Sequence, residues 1–299
     1  MSETMARSSP GIPLVSRTAR VVWDTAADSD LTVRTSVRLL YVDVPEVTAC
    51  TVGGARRIDE RFARLARWIE QGPGLPAIRR LAEYLLPKLG TGRAGTLHFE
   101  QGRAAAAFTH ANAAARLSRP DGTERPLFLR TAGTPFDRRG RLWAYVAPYY
   151  TAAERCGMTR AQRSTFNLDM VRAGWVVPFL VYPDLPATPD LALLLEETAL
   201  ARAAGRGIWA DPHTLLPFEY RAVERLCTIA EKTVAGDQPP DPDAWQVLYC
   251  ADRRTRVLHG PFDYVEVPLL DRLWLRPADV TEALGRLKLS FSPRLLDTH

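Results

Sequence analysis

The apolar positions of this chain change period several times, and the changes mark out its elements. Between Ala19 and Val44 the pattern is that of short strands: Arg20-Val21-Val22-Trp23, a polar turn over 24–30, then Leu31-Thr32-Val33 and the run from Val37 to Val42. Branched and aromatic side chains suit a pleated, half-buried surface, and Val44-Pro45 ends the run because proline cannot donate to a ladder. Residues 48–57 read as a loop. The period then becomes helical: Phe62, Leu65, Trp68 and Ile69 share one face of 59–71, which Gly72-Pro73-Gly74 stops, and Leu81, Tyr84, Leu85 and Leu86 do the same in 75–89. A strand is expected at 96–100 and an alanine-rich helix at 103–117, before the turn at Pro120-Asp121-Gly122. Strands at 127–130 and 141–147 flank a charged turn at 137–140. A short helix over 167–174 ends at Gly174, a strand follows over 175–182, and an amphipathic helix spans 190–205. Five strands interleaved with helices fit an α+β chain built on a small OB-type barrel.

Beyond Pro212 the pattern predicts a helix at 218–234, a linker at 236–242, strands at 245–249 and 256–267, and a last helix at 278–289. This reads as a small α/β C-terminal extension, and residues 1–18 as a flexible leader. Charge divides the chain at the same place. Residues 212–299 carry 11 Lys/Arg against 13 Asp/Glu, whereas residues 1–211 carry 28 against 21. Nearly all the basic residues are arginine, which contacts phosphate bidentately. The acidic balance of the extension argues against a second nucleic-acid module and for packing or protein interaction. Cys50, Cys156, Cys227 and Cys250 are scattered, which argues against a zinc site and a disulfide framework. The polar first fifteen residues do not read as a signal peptide, and no apolar run reaches membrane-spanning length, so a cytoplasmic protein with no membrane partner is expected.

Chemistry concentrates where the first strand group ends. Arg38, Asp43 and Glu46 stand within nine residues, beside a run that should be buried and does not need them for its stability. Several blocks extend the pattern. Arg38-Leu-Leu-Tyr-Val-Asp43-Val-Pro45-Glu46 is similar to R-L-x-x-[VI]-D-[TA]-P-E, and Asp24-Thr25 stands at the matching distance before it. Asp137-Arg-Arg-Gly140-Arg141-Leu-Trp-Ala-Tyr-Val is similar to D-[KR]-Y-G-R-x-L-A-Y-V. Asn167 to Gly174 resembles N-x-x-L-[VI]-R-x-G, and Ala201 to Trp209 resembles A-[KR]-x-x-x-x-G-[IL]-W. Five blocks in this order resemble the staphylococcal nuclease (thermonuclease-like) family over residues 19–211, apart from a helical insertion at about 48–125.

The resemblance implies a Ca²⁺-dependent nuclease that hydrolyses phosphodiester bonds of DNA and/or RNA, with the sequence leaving endo or exo mode open. It implies Asp24, Asp43 and the Val44 carbonyl as metal ligands, hard oxygen donors suited to Ca²⁺. Valine stands where the family usually has threonine, so the carbonyl is kept and a hydroxyl lost. Glu46 is implied as the base or water-orienting group, and Arg38 and Arg141 as the phosphate clamp that stabilises transition-state charge. Tyr182, Arg138 and Arg139 are implied at the substrate. Arg139 and Leu180 replace two family aromatics, a change expected to weaken nucleotide stacking rather than the chemistry. The rival expectation is a catalytically weak or inactive nucleic-acid-binding or scaffolding module on the same fold. A regulator or protein partner is expected to act through the 48–125 insertion or the 212–299 extension. The histidines, His98 among them, are isolated and show no ligand spacing, which reads as structural or exposed.

Overall fold

The computed structural model describes residues 4–7, 18–23, 31–47, 49–72, 76–137, 140–237 and 245–296. Within them the chain is a mixed α+β protein. Strands β1 (Thr4–Arg7), β2 (Thr18–Trp23), β3 (Leu31–Leu39) and β4 (Val42–Asp43) come first. Helices α1 (Val52–Glu70), α2 (Pro76–Leu89) and α3 (Ala94–Leu117) follow, then β5 (Leu127–Phe136) and β6 (Leu142–Pro148). Next are α4 (Ala152–Arg155), α5 (Phe166–Arg172), β7 (Val177–Pro178), α6 (Thr188–Ala203) and α7 (Pro217–Ala235). The chain closes with β8 (Tyr249–Asp252), β9 (Val257–His259), β10 (Arg272–Leu275), α8 (Val280–Leu287), β11 (Ser290–Phe291) and α9 (Pro293–Leu296).

The first sheet pairs β1 with β2 and β5, β2 with β3, and β5 with β6, all antiparallel, while β3 runs parallel to β6 with Arg38 opposite Trp143. A parallel pair cannot be joined by a tight turn, and here the connection carries the whole of α1 to α3 and β5. Along β6, Leu142, Ala144 and Val146 are buried and alternate with half-buried Trp143 and Tyr145, so one face of the strand points inward. Val37, Leu127 and Leu129 meet that face, and Ala113 and Leu117 of α3 with Phe166 of α5 complete the same cluster. Asn167 fastens this region. Its buried side chain donates to the Leu40 and Ala144 carbonyls at 3.1 and 3.4 Å and accepts from the Val146 N–H at 3.1 Å. The backbone just past the end of β3 is thereby tied to β6, with each buried polar atom partnered.

Several expectations are corrected by tertiary contacts. Thr4–Arg7, expected within a flexible leader, forms β1 and pairs with two strands. The expected loop at 48–57 already contains the start of α1, because Thr51 caps it by accepting from the Gly54 N–H at 3.0 Å. The expected strand at 96–100 is helical, as part of α3. Asp59 of α1 supplies the reason: it accepts from the Thr96 N–H at 2.9 Å and from its hydroxyl at 2.5 Å, capping the first turn from a neighbouring helix. The expected strand at 175–182 shrinks to Val177–Pro178, and that at 256–267 to Val257–His259. The linker expected at 236–242 falls largely outside the described residues.

The expected C-terminal extension shares the core of the helical insertion. Phe62 and Leu65 of α1, Leu81 and Leu85 of α2, Val223 and Leu226 of α7, and Trp245 and Trp274 lie in one buried cluster. Burying each large apolar side chain contributes roughly 1.5–3 kcal/mol, so this shared cluster ties α7 to the insertion. The sheet β10-β8-β9-β11 lies beyond it, with β9 and β11 parallel and the other pairs antiparallel. No helix among the described residues is long and apolar enough to cross a membrane.

Two glycines of the quoted blocks meet each other. Gly174 and Gly207 both take positive φ, +75° and +57°. A Cβ on Gly174 would fall 2.3 Å from the Arg206 carbonyl oxygen, and one on Gly207 would fall 2.4 Å from that of Gly174. Ile208 N–H donates to the Gly174 carbonyl at 2.9 Å, so the end of α5 and the turn after α6 touch backbone to backbone.

Candidate functional site

The chain reverses direction at the end of β3. Leu40 N–H donates to the Ala144 carbonyl at 3.1 Å, Tyr41 takes φ +61°, and Val42–Asp43 then pairs antiparallel with Val177–Pro178. A left-handed tyrosine is strained, and its neighbours hold it there: Phe179 N–H donates to its carbonyl at 2.9 Å. The reversal sets Asp43 beside Arg38, whose Nη2 lies 3.8 Å from Asp43 Oδ1. Asp43 is buried, at 5% exposure, and Glu46 follows three residues on in a half-buried loop.

The dominant partner of both carboxylates comes from α7. Arg221 Nη2 donates to Asp43 Oδ2 at 2.6 Å, and Nη1 donates to Asp43 Oδ1 at 3.2 Å and to Glu46 Oε1 at 2.9 Å. One guanidinium thus bridges the two acids, the bidentate geometry that makes arginine–carboxylate pairs strong. Burial alone would lower the Arg221 guanidinium, but Asp43 and then Glu46 hold it above its ordinary value. Arg38 is shifted the other way, lowered first by burial and then by the like charges of Arg141 and Arg221 against the pull of Asp43. Arg38 also lies over the Trp143 ring, 5.9 Å from its centroid.

Arg141 is held by Asp137 across the β5–β6 turn. Its N–H donates to Asp137 Oδ1 at 2.9 Å and its Nε to Oδ2 at 2.7 Å. A guanidinium bound through Nε still has two terminal nitrogens with which to donate. Arg38, Asp43 and Glu46 are therefore brought together, and Arg141 stands just ahead of Leu142, which pairs with Val37. Asp24, Arg138 and Arg139 lie outside the described residues. Tyr182 is placed differently from the expectation. It is 4% exposed, within the packing of the C-terminal region, and its hydroxyl donates to Glu282 Oε1 of α8 at 3.1 Å.

The insertion grips the same loop through its backbone. His98 Nε2 of α3 accepts from the Glu46 N–H at 2.9 Å, and Gly102, one turn on, approaches so closely that a Cβ there would lie 2.9 Å from the Pro45 carbonyl oxygen. The His98 ring stacks flat on Tyr220, with centroids 3.8 Å apart and planes 3° from parallel. Accepting through Nε2 requires the proton on Nδ1, so the imidazole is neutral. Burial, then the Arg221 charge, lowers His98 to about 3. The unfolded chain binds the proton near pH 6.5 and the folded one only near 3, so stability is complete above 6.5 and falls as pH drops toward 3. The protein is expected to lose roughly 2 kcal/mol between pH 7 and pH 5 from this residue alone. Urea midpoints measured over that range for the wild type and His98→Gln check it; equal pH slopes would refute it.

A Ca²⁺ ion takes six to eight oxygen ligands at about 2.3–2.6 Å. Among the described residues no group of three or more His, Cys, Asp or Glu side chains could hold a metal ion. Both oxygens of Asp43 and one of Glu46 already accept from Arg221. A dication about 4 Å from a guanidinium would be repelled by roughly 8 kcal/mol at an effective dielectric of 20. Asp43 and Glu46, folded in this way, do not fit Ca²⁺ while Arg221 is in place. No protein-family model and no curated protein matches the chain.

Sequence reasoning missed Arg221, and it read His98 as structural or exposed without placing it against the acidic loop. Neither lies in a block with a pattern of its own, and Arg221 is 178 residues from Asp43 in the chain. Only the chemical demand of a buried Asp43 signalled that a further cation was needed.

Proposed function

We propose that the protein acts on the phosphodiester backbone of nucleic acid as a nuclease of the staphylococcal type. The pairing in which each of β1, β2, β3, β5 and β6 has two neighbours, with β3 parallel to β6, is what we read as its OB-type barrel. The observation that carries the activity is the convergence of Arg38, Asp43 and Glu46 at the reversal after β3, with Arg141 just ahead of Leu142, which pairs with Val37 beside Arg38. In this reading Arg38 and Arg141 bind the phosphate and stabilise the charge that develops as water attacks, and Glu46 orients that water and takes its proton. Asp43 sets the arginines around Glu46.

A second reading has an observation of its own. Arg221 neutralises Glu46, and Asp137 holds Arg141, so the groups needed for turnover are engaged with each other. That favours a nucleic-acid-binding module with little hydrolysis. Incubation of single-stranded DNA, plasmid and RNA with the purified full-length chain separates the two. Cleavage by the wild type that falls roughly 10²-fold in Glu46→Gln supports the nuclease. Salt-sensitive binding without cleavage supports the module.

A further inference from the structure

We propose that Arg221 is the built-in cation of the Asp43–Glu46 pair, so that its guanidinium and a divalent cation are alternative occupants of one position. The inference deepens the reading of the site given above and rests on it for the identity of the position. Three bonds of 2.6, 2.9 and 3.2 Å run from one guanidinium to two carboxylates, and Asp43 is buried enough that it requires a partner.

The placement is built from several sides, unlike a chance surface ion pair. Three consecutive residues of the first turns of α7 are each anchored to a different part of the molecule. Glu219 accepts from Lys88 at 2.8 Å and from Tyr84 at 2.5 Å, both on α2. Tyr220 stacks on His98 of α3, which itself holds the Glu46 backbone. Arg221 then reaches Asp43 and Glu46. Residues 219 to 221 therefore fix both the backbone and the side chains of the acidic loop.

A tethered cation competes at an effective concentration in the millimolar range or above, whereas a free dication competes only at its own concentration. Arg221 also satisfies both acids at once, and a metal entering there would have to displace it. The ligand that the pair would take without Arg221 is a hard divalent cation bound by oxygen, and Ca²⁺ is the probe.

The test uses the full-length protein, with Ca²⁺ binding followed by calorimetry and by thermal melting with and without Ca²⁺ at about ten times the dissociation constant of the variant. The wild type is expected to show no saturable Ca²⁺ heat and no shift in melting temperature. Arg221→Gln is expected to gain both, with a shift of a few degrees, and Arg221→Gln combined with Asp43→Asn to lose them again. If Arg221→Gln does not fold, Arg221→Met answers the same question, since it keeps an apolar stem of similar length and carries no charge. Equal Ca²⁺ affinity in the wild type and the variant overturns the proposal, as does a folded variant that gains none. The readout is binding and needs no turnover. A variant that gains Ca²⁺ binding while the wild type cleaves no nucleic acid upholds this proposal and counts against the nuclease, whereas a wild type that both cleaves and binds Ca²⁺ does the reverse.

Discussion

Replacing Glu219 by alanine should destabilise the protein by about 3–5 kcal/mol, the range found when one partner of a buried ion pair is removed. Glu219 is 1% exposed, and Lys88, its partner at 2.8 Å, is nearly as buried. Without Glu219 the Lys88 ammonium keeps, among the described residues, the Tyr84 hydroxyl at 2.7 Å. The Leu216 N–H at the start of α7 also loses its acceptor, which lies at 3.0 Å. Burial, then the Glu219 charge, pushes the Tyr84 and Tyr264 hydroxyls above their ordinary values, so both stay protonated as donors around the acid. Replacing both charged residues, as Lys88→Met with Glu219→Leu, should recover much of the loss, because the cost lies in stranding one charge. Urea unfolding of the two variants decides it. A loss below about 1 kcal/mol in Glu219→Ala would mean that water reaches Lys88 and that α7 is less firmly docked than its packing implies.

Replacing Arg141 by alanine should lower the rate of phosphodiester cleavage roughly 10³-fold while leaving the fold intact. The proposed role is to meet charge that develops on the phosphate in the transition state, so the loss should appear in kcat more than in KM. Arg141 is one-third exposed and its main structural partner, Asp137, lies four residues away in the same turn. Its exposed ion pair contributes at most about 1 kcal/mol to stability. A variant that melts within a few degrees of the wild type and retains its kcat would remove Arg141 from the chemistry.

These two expectations sit on different kinds of contact, and the difference bears on what could be read from the amino-acid order. Arg38, Asp43 and Glu46 are close in sequence, so a local pattern groups them, and the reversal at Leu40–Tyr41 then sets Arg38 on β3, Asp43 on β4 and Glu46 in the loop beyond. Arg141 enters through register, because β6 runs parallel to β3 and sets Trp143 opposite Arg38. The glycines of the later blocks were legible as stops, yet their reason is the contact of Gly174 with the turn that carries Gly207.

Local periodicity by itself determined strand character at 20–23, at 31–33 and over 37–42 apart from the reversal at Leu40–Tyr41, the helices over most of their length and the grouping of Arg38, Asp43 and Glu46. It did so because those features depend on neighbours within a few positions. It misread 96–100, where Asp59 caps a helix from another element, and residues 4–7, which become a strand only because β2 and β5 lie on either side. Only the tertiary structure decided which cation answers Asp43 and Glu46. Arg221 reaches them because α1, α2 and α7 bury a common apolar face, and that packing sets Glu219, Tyr220 and Arg221 on three different partners. Packing is a property of faces brought together from distant segments, and no stretch of sequence carries it alone.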